Sequence, residues 1–331
     1  MDLDGLSDAR GVDVLHMHTA IPYGFGRHRF RVPVVHTLHG HGPYCPSGSK
    51  FLQRQGRPCP RVYAPVGCAL GHLVDHCGSV RPRGVVAQIA QFHEARQAIA
   101  QRPTILVSDF CRRELLRSGQ TGDNLHVVLS PAWGGLAPPA AGAGRIAIQD
   151  APRFLFLGRV VPAKGVAWLL RALARTRVPM HLDIAGDGYE GTRMKELSKS
   201  LRLDDRVTFH GWVSRQRSAE LLVQARALVL PSLWHEPAGL VSVEAAAHAR
   251  PVVAARVGGI PEYVINEETG MLVEPDDVLG LANALDILAR DGGRAQELGR
   301  RAYERAAEIH AVPRYVAEVQ RIYEDARSAI V

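Results

Sequence analysis

Short apolar runs alternate with stretches of helical periodicity along almost the whole chain, and this alternation restricts the possible folds more than any other feature. In the first half, residues 12–16, 32–38, 104–108 and 125–129 read as strands, and residues 85–100 and 111–118 as helices. In the second half the strand-like runs are 153–157, 181–185, 207–209, 227–230 and 252–255. Helical patterns there cover 168–176, 191–201, 217–224, 239–248, 281–289 and 292–310, with a last helix at 315–329 after Pro313. Neighbouring parallel strands need a crossover connection, and a helix is its usual form. The reading is therefore an α/β fold with parallel sheets.

Residues 131–150 carry Pro131, Gly134, Gly135, Pro138, Pro139, Gly142 and Gly144, a linker composition that marks a domain boundary. The chain thus reads as an N-terminal Rossmann-like domain over 1–145, a C-terminal one over 146–310, and a terminal helix over 311–331. A Gly/Pro-rich insertion at 44–82 interrupts the first domain. No uninterrupted apolar stretch is long enough to span a membrane. The first residues, Met1 to Asp8, are acidic and lack an apolar core, so a cytoplasmic protein is expected and a signal peptide is not.

The net charge is +7, and residues 1–150 hold +6 of it, from 16 Lys and Arg against 10 Asp and Glu. A basic first half suits an anionic membrane surface or an acidic glycan, and suits equally an Arg-rich solvated face. Nucleic-acid binding is not expected, because aromatic residues are only 6% and no recognition motif occurs.

The most chemically loaded segment is residues 230–245, where Glu236 precedes a helix and Glu244 lies on it. Between them fall the amides of Ala238, Gly239 and Leu240, and amides at a helix start attract phosphate. A carboxylate can accept from two sugar hydroxyls. Arg159 and Lys164 follow one strand and precede a helix, where two cations could neutralise a diphosphate. Gly186, Asp187 and Gly188 end the next strand and formally open a dinucleotide-type glycine pattern. Read without further context, each could be a surface cation pair or a plain turn.

Together, in this order, these segments resemble retaining glycosyltransferase family 4, whose fold is GT-B: two Rossmann-like domains facing a cleft. The likeness rests on the paired glutamates, on 158–165, on 184–190, on 207–212, on 257–262 and on 270–276. It implies transfer of a sugar from a UDP- or GDP-hexose to an acceptor hydroxyl with retention, in cell-surface glycan or glycolipid synthesis. It implies that Glu244 binds ribose, Glu236 the hexose, Ala238 to Leu240 the diphosphate, and that Arg159 and Lys164 stabilise its departing charge. The segment at His210 and Gly211 would face the base, and His39 would reach the hexose from the first domain. No metal and no cofactor beyond the nucleotide-sugar are expected, and the acceptor would be a glycan or a lipid-linked one. On this resemblance the family's opening strand, Gly-rich loop and helix are expected to be missing from the first domain. The oligomeric state is left open.

Other readings stand beside this one: a nucleotide-sugar binder without catalysis or completed by a partner, a sugar-nucleotide epimerase, or an NAD oxidoreductase. His16, His18, His36 and His41 rival His39. Ser108 is placed to cap the helix that follows it. Cys45, Cys59, Cys68 and Cys77 fall in the insertion without a C-x-x-C pair, leaving paired, metal-bound and free thiols open. Asp2 and Asp4 spell a metal-nucleotide D-x-D at a terminus where it carries no weight.

Overall fold

The computed structural model describes residues 11–18, 30–132 and 151–328. Asp2, Asp4 and residues 133–150 of the linker lie outside them. The chain divides into two compact units, Met1–Ser130 with Pro313–Val331, and Pro131–Val312.

The first unit opens with β1 (Leu15–Met17) and β2 (Val34–Leu38). The insertion follows, with a two-stranded antiparallel pair of β3 (Phe51–Leu52) and β4 (Arg57–Pro58), then α1 (Pro65–Val74) and α2 (Pro82–Ala100). The chain returns through β5 (Thr104–Leu106), α3 (Asp109–Arg117) and β6 (Leu125–Val127). The main sheet runs β1-β2-β5-β6, all parallel. Ser108 caps α3 by accepting from the Cys111 amide at 3.3 Å. α1 and the small hairpin did not show in the sequence pattern. Proline at the first helical position starts α1, where a missing N–H is harmless.

The second unit holds β7 (Arg153–Leu157), α4 (Val166–Leu173), β8 (His181–Ala185), α5 (Gly191–Ser200) and β9 (Val207–Gly211). It continues with α6 (Arg215–Gln224), β10 (Ala227–Leu230), α7 (Val241–Ala247), β11 (Val252–Ala255), α8 (Ile260–Tyr263) and β12 (Gly270–Val273). α9 (Val278–Arg290) and α10 (Gly292–Ile309) complete it. The six strands are parallel in the order β12-β11-β10-β7-β8-β9. Strand order reverses between β7 and β10, and ligands of open α/β sheets bind beyond the carboxyl ends of the strands at such a point.

Phe154, Phe156, Trp168, Leu228 and Val253 are at most 1% exposed at the centre of this unit. Each large apolar side chain removed from water there contributes about 1.5–3 kcal/mol. α7 is shorter than the 239–248 read from sequence, because Gly239 takes φ +84° and its left-handed backbone delays the helix to Val241. β12 went unread as a strand. The last helix, α11 (Val312–Ser328), packs Val319, Ile322 and Ala326 against Val35 and Ile105 of the first unit's sheet and Val128 just after β6. Those three positions recur at helical spacing, so they form one apolar stripe.

Candidate active site

The loops after β7 and β10 are bound together by backbone. A Cβ on Gly165, at φ +70°, would fall 1.8 Å from the Pro231 carbonyl oxygen, so only glycine allows the approach. The Leu233 amide donates to the Ala163 carbonyl at 2.8 Å across the same gap. This contact carries Lys164, at the end of the turn Pro162–Lys164, to the β10 loop.

There the Lys164 ammonium pairs with Oε1 of Glu236. The Ser232 hydroxyl donates to the same oxygen at 2.6 Å. Lys164 also stands 5.4 Å from the Trp234 ring centroid, within cation–π reach. Glu236 is only 5% exposed, so its carboxylate oxygens need partners within the protein in place of water. Its backbone is fixed too, since the Gly259 amide donates to the Glu236 carbonyl at 2.7 Å. Ser232 and Trp234 had no assigned role in the sequence reading, although both lie in the segment singled out.

Arg159 and Glu244 are exposed, and among the described residues neither bonds directly to the Lys164–Glu236 pair. Arg159 has no ion-pair partner among the described residues. Glu244 sits on α7, where the protein around it pushes its carboxyl up, against the pull of Arg215 and His248. Ala238 is buried and Leu240 exposed. Among the described residues no backbone carbonyl accepts from the amides of Ala238, Gly239 or Leu240.

Gly186 and Gly188 serve a close approach between loops. A Cβ on Gly186 would lie 1.8 Å from the Gly158 carbonyl oxygen, and one on Gly188 would lie 2.3 Å from that of Val160. The Val160 amide donates to the Asp187 carbonyl at 2.9 Å, while the exposed Asp187 carboxylate accepts from the Gly188 amide at 2.7 Å. The Gly186 amide in turn donates to the Gly211 carbonyl at 2.7 Å. His210 is tied by Nε2 to Oδ1 of Asp183 at 2.8 Å. Arg153 holds the same carboxylate through two bonds of 2.8 and 2.6 Å. Burial would raise Asp183, but the Arg153 and His210 bonds outweigh it and hold its carboxyl below the usual range. The sequence reading passed over Asp183, although an acid inside a buried strand demands a partner. Trp212, next after Gly211, is 78% exposed.

In the first unit, His39 is exposed and its Nε2 lies 3.1 Å from Nδ1 of His18. Burial of part of the ring and repulsion from His18 lower its pKa. His39 lines a cavity of about 310 Å³ with Thr37, Gln88, Gln91 and Phe92. Two of the rival histidines, His18 and His41, line the same cavity. His16 bridges Tyr323 at 2.6 Å and Thr37 at 2.7 Å, and His36 and His41 are each 1% exposed.

Cys45, Cys59, Cys68 and Cys77 are free thiols gathered around one small cavity of about 20 Å³, with His72. Burial pushes Cys77 up to about 11, despite a hydrogen bond with Ser47. Among the described residues no group of three or more His, Cys, Asp or Glu side chains is arranged to hold a metal ion. Nor is any described helix long and apolar enough to cross a membrane.

Residues 145–305 match the family "Glycosyl transferases group 1", so the second unit is a glycosyltransferase group 1 domain. The chain is 38% identical over 154 residues to the glycogen synthase of Mycobacterium tuberculosis, covering 46% of this chain and 37% of that protein. It is 30% identical over 292 residues to the D-inositol 3-phosphate glycosyltransferase of Mycobacteroides abscessus, covering 86% of this chain and 58% of that one. The chain therefore spans less than two thirds of either relative. Among solved structures, sucrose-phosphate synthase from Thermosynechococcus elongatus matches with a TM-score of 0.77 at 24% identity, over 99% of this chain and 77% of that one. Anabaena HepE in complex with UDP and glucose matches with a TM-score of 0.68 at 19% identity, over 98% of this chain and 81% of that one. The fold is thus α/β with parallel sheets, of the GT-B kind.

Proposed function

We propose that this chain is a retaining glycosyltransferase that moves a hexosyl group from a UDP- or GDP-hexose to an acceptor hydroxyl. The observation that carries the reading is the Lys164–Glu236 pair, placed by the loops that follow β7 and β10, where the sheet reverses its strand order. The group 1 family match over the same unit supports it, as does HepE, which was solved with UDP and glucose.

In this reading the Glu236 carboxylate receives hexose hydroxyls, and Glu244 receives ribose hydroxyls. The amides of Ala238, Gly239 and Leu240 meet the diphosphate. Lys164 and Arg159 stabilise the charge that grows on the diphosphate as the bond from the anomeric carbon to phosphate oxygen breaks. The acceptor oxygen bonds to that carbon on the same face, and its proton passes to the departing phosphate oxygen. Lys164 then exchanges part of its interaction with Glu236 for the phosphate. Gly186, Asp187 and Gly188 support the diphosphate loop, and His210 and Gly211 border the base. No metal or further cofactor enters this scheme, because the two cations supply the positive charge.

The cavity beside His39 is the proposed acceptor side, for a glycan or lipid-linked hydroxyl. Its polar lining, Thr37, Gln88 and Gln91, suits hydroxyl groups. A cytoplasmic setting at the inner face of a membrane belongs to the same proposal, supported by the +6 charge of residues 1–150.

Calorimetric titration with UDP and GDP, followed by donor turnover, tests the reading. Arg159→Ala with Lys164→Ala should weaken nucleoside-diphosphate binding at least about tenfold. Unchanged affinity refutes the phosphate assignment. Binding without hydrolysis or transfer, across donors and acceptors, leaves a nucleotide-sugar binder in place of an enzyme.

A further inference from the structure

α1 is turned inside out. Its one basic side chain, His72, is 0% exposed. Val66, Leu70, Leu73 and Val74 are 72%, 54%, 53% and 58% exposed. Their spacing puts all four on one arc of the helix, opposite the buried His72. An isolated exposed leucine needs no explanation, but a contiguous aliphatic stripe does. Val62, Val80 and Val86, in the flanking segments of the chain, are exposed as well.

The surroundings are cationic. Between residues 50 and 83 the chain carries Lys50, Arg54, Arg57, Arg61, Arg81 and Arg83 against a single acid, Asp75. Asp75 is already paired with Arg61 at 2.5 Å. Lys50 is buried against Glu114 at 2.6 Å, so it adds nothing to the surface. Arg54 stands at the end of the stripe, donating to the Val74 carbonyl at 3.4 Å. Arg57, Arg81 and Arg83 are exposed.

We propose that α1 docks this chain on an anionic lipid surface, with Val66, Leu70, Leu73 and Val74 entering the acyl boundary and Arg54, Arg57, Arg81 and Arg83 meeting lipid phosphates. Two properties choose this occupant. A second copy would bring two like-charged surfaces together, which repel. The stripe is wholly aliphatic, without the aromatic anchors and hydrogen-bonding groups that dominate protein interfaces. Aliphatic side chains in a cationic surround are the signature of a helix lying in the membrane interface. The docking rests on the membrane setting proposed above and names the face that makes the contact, while its test uses none of the donor-site residues and so fails separately from sugar transfer.

The test is co-sedimentation of the full chain with vesicles of phosphatidylcholine alone, or of phosphatidylcholine with ~40% phosphatidylglycerol. The chain should pellet with the anionic vesicles only, and high salt should release it. Leu70→Asp with Leu73→Asp should weaken partition about tenfold or more, since apolar burial is the other half of the affinity. The same loss is expected for Arg54, Arg57, Arg81 and Arg83 changed together to Gln. Leu70→Met with Leu73→Met should keep binding. Both leucines are exposed, so circular dichroism and UDP affinity should match the parent chain in every variant. Absence of binding to anionic vesicles overturns the proposal, as does unchanged binding of the aspartate variant. A concentration-dependent dimer that the aspartate variant dissolves also overturns it, in favour of a second copy.

Discussion

The ammonium of Lys164 and the carboxylate of Glu236 lie 72 residues apart in the chain and form one ion pair at the carboxyl ends of two adjacent strands. The pair depends on Gly165, whose missing Cβ lets the two loops touch. It also depends on Ser232, which donates to the same carboxylate oxygen.

Lys164→Met should leave a buried Glu236 carboxylate with Ser232 and no cation, destabilising the second unit by about 1–3 kcal/mol. Glu236→Gln should restore part of that loss when added to Lys164→Met, because the uncompensated charge is gone. Urea denaturation of the two single variants and the double variant checks this. Additive losses would show that the two groups are not coupled.

Glu236→Gln by itself should cut sugar-transfer turnover at least about a hundredfold while leaving nucleoside-diphosphate affinity within a few-fold. Turnover close to that of the parent chain would remove Glu236 from the hexose site.

Gly165→Ala should destabilise by about 2–4 kcal/mol, since it meets both a left-handed backbone and a carbonyl oxygen. UDP binding should fall with it, as the loop that carries Lys164 is displaced. A variant as stable as the parent chain would contradict the close approach of Gly165 to Pro231.

His36 is lowered to about 4, first by burial, then by Arg102 and His16. Its neutral ring is therefore favoured in the folded state, and the unfolded chain binds a proton below about 6.5 that the folded one refuses. The stability this adds is full above pH 6.5 and is lost as pH falls toward 4. A shift of that size amounts to about 3 kcal/mol for so buried a ring. Stability measured between pH 7 and 4 should fall along this window, and His36→Gln should flatten the fall. An equally steep fall in the variant would place its cause elsewhere.

Burial holds the Cys77 thiol at about 11, so at neutral pH almost none of it is thiolate. Alkylation of Cys77, followed by peptide mass spectrometry, should be slow at pH 7 and should accelerate through pH 10. Rapid labelling at neutral pH would show that its surroundings are more open or more cationic than this packing.

The central strands were legible in the sequence. β7, β8, β10 and β11 have the bounds read from sequence, because most of their positions are buried apolar residues, and in β8 the run survives the single acid Asp183. α1 was not legible, because its large apolar residues face solvent and its one basic residue, His72, is buried, the reverse of the pattern that reveals a helix. The site was partly legible. Glu236 and Lys164 stood out by charge and position, while Ser232 and Asp183 did not, since a hydroxyl or a lone acid is informative only once its neighbours are known.

By itself, the order of residues determined that strands and helices alternate, that two α/β halves flank a Gly/Pro-rich stretch, and that cations and carboxylates occur at strand ends. These follow from local periodicity and charge, which neighbouring residues carry. Tertiary structure alone decided that β7 lies between β10 and β8, that Lys164 meets Glu236, and that four cysteines spread over 33 positions share one cavity. Those relations join residues far apart in the chain. They exist because burying both faces of the sheet selects one strand order, and that order brings the loops together.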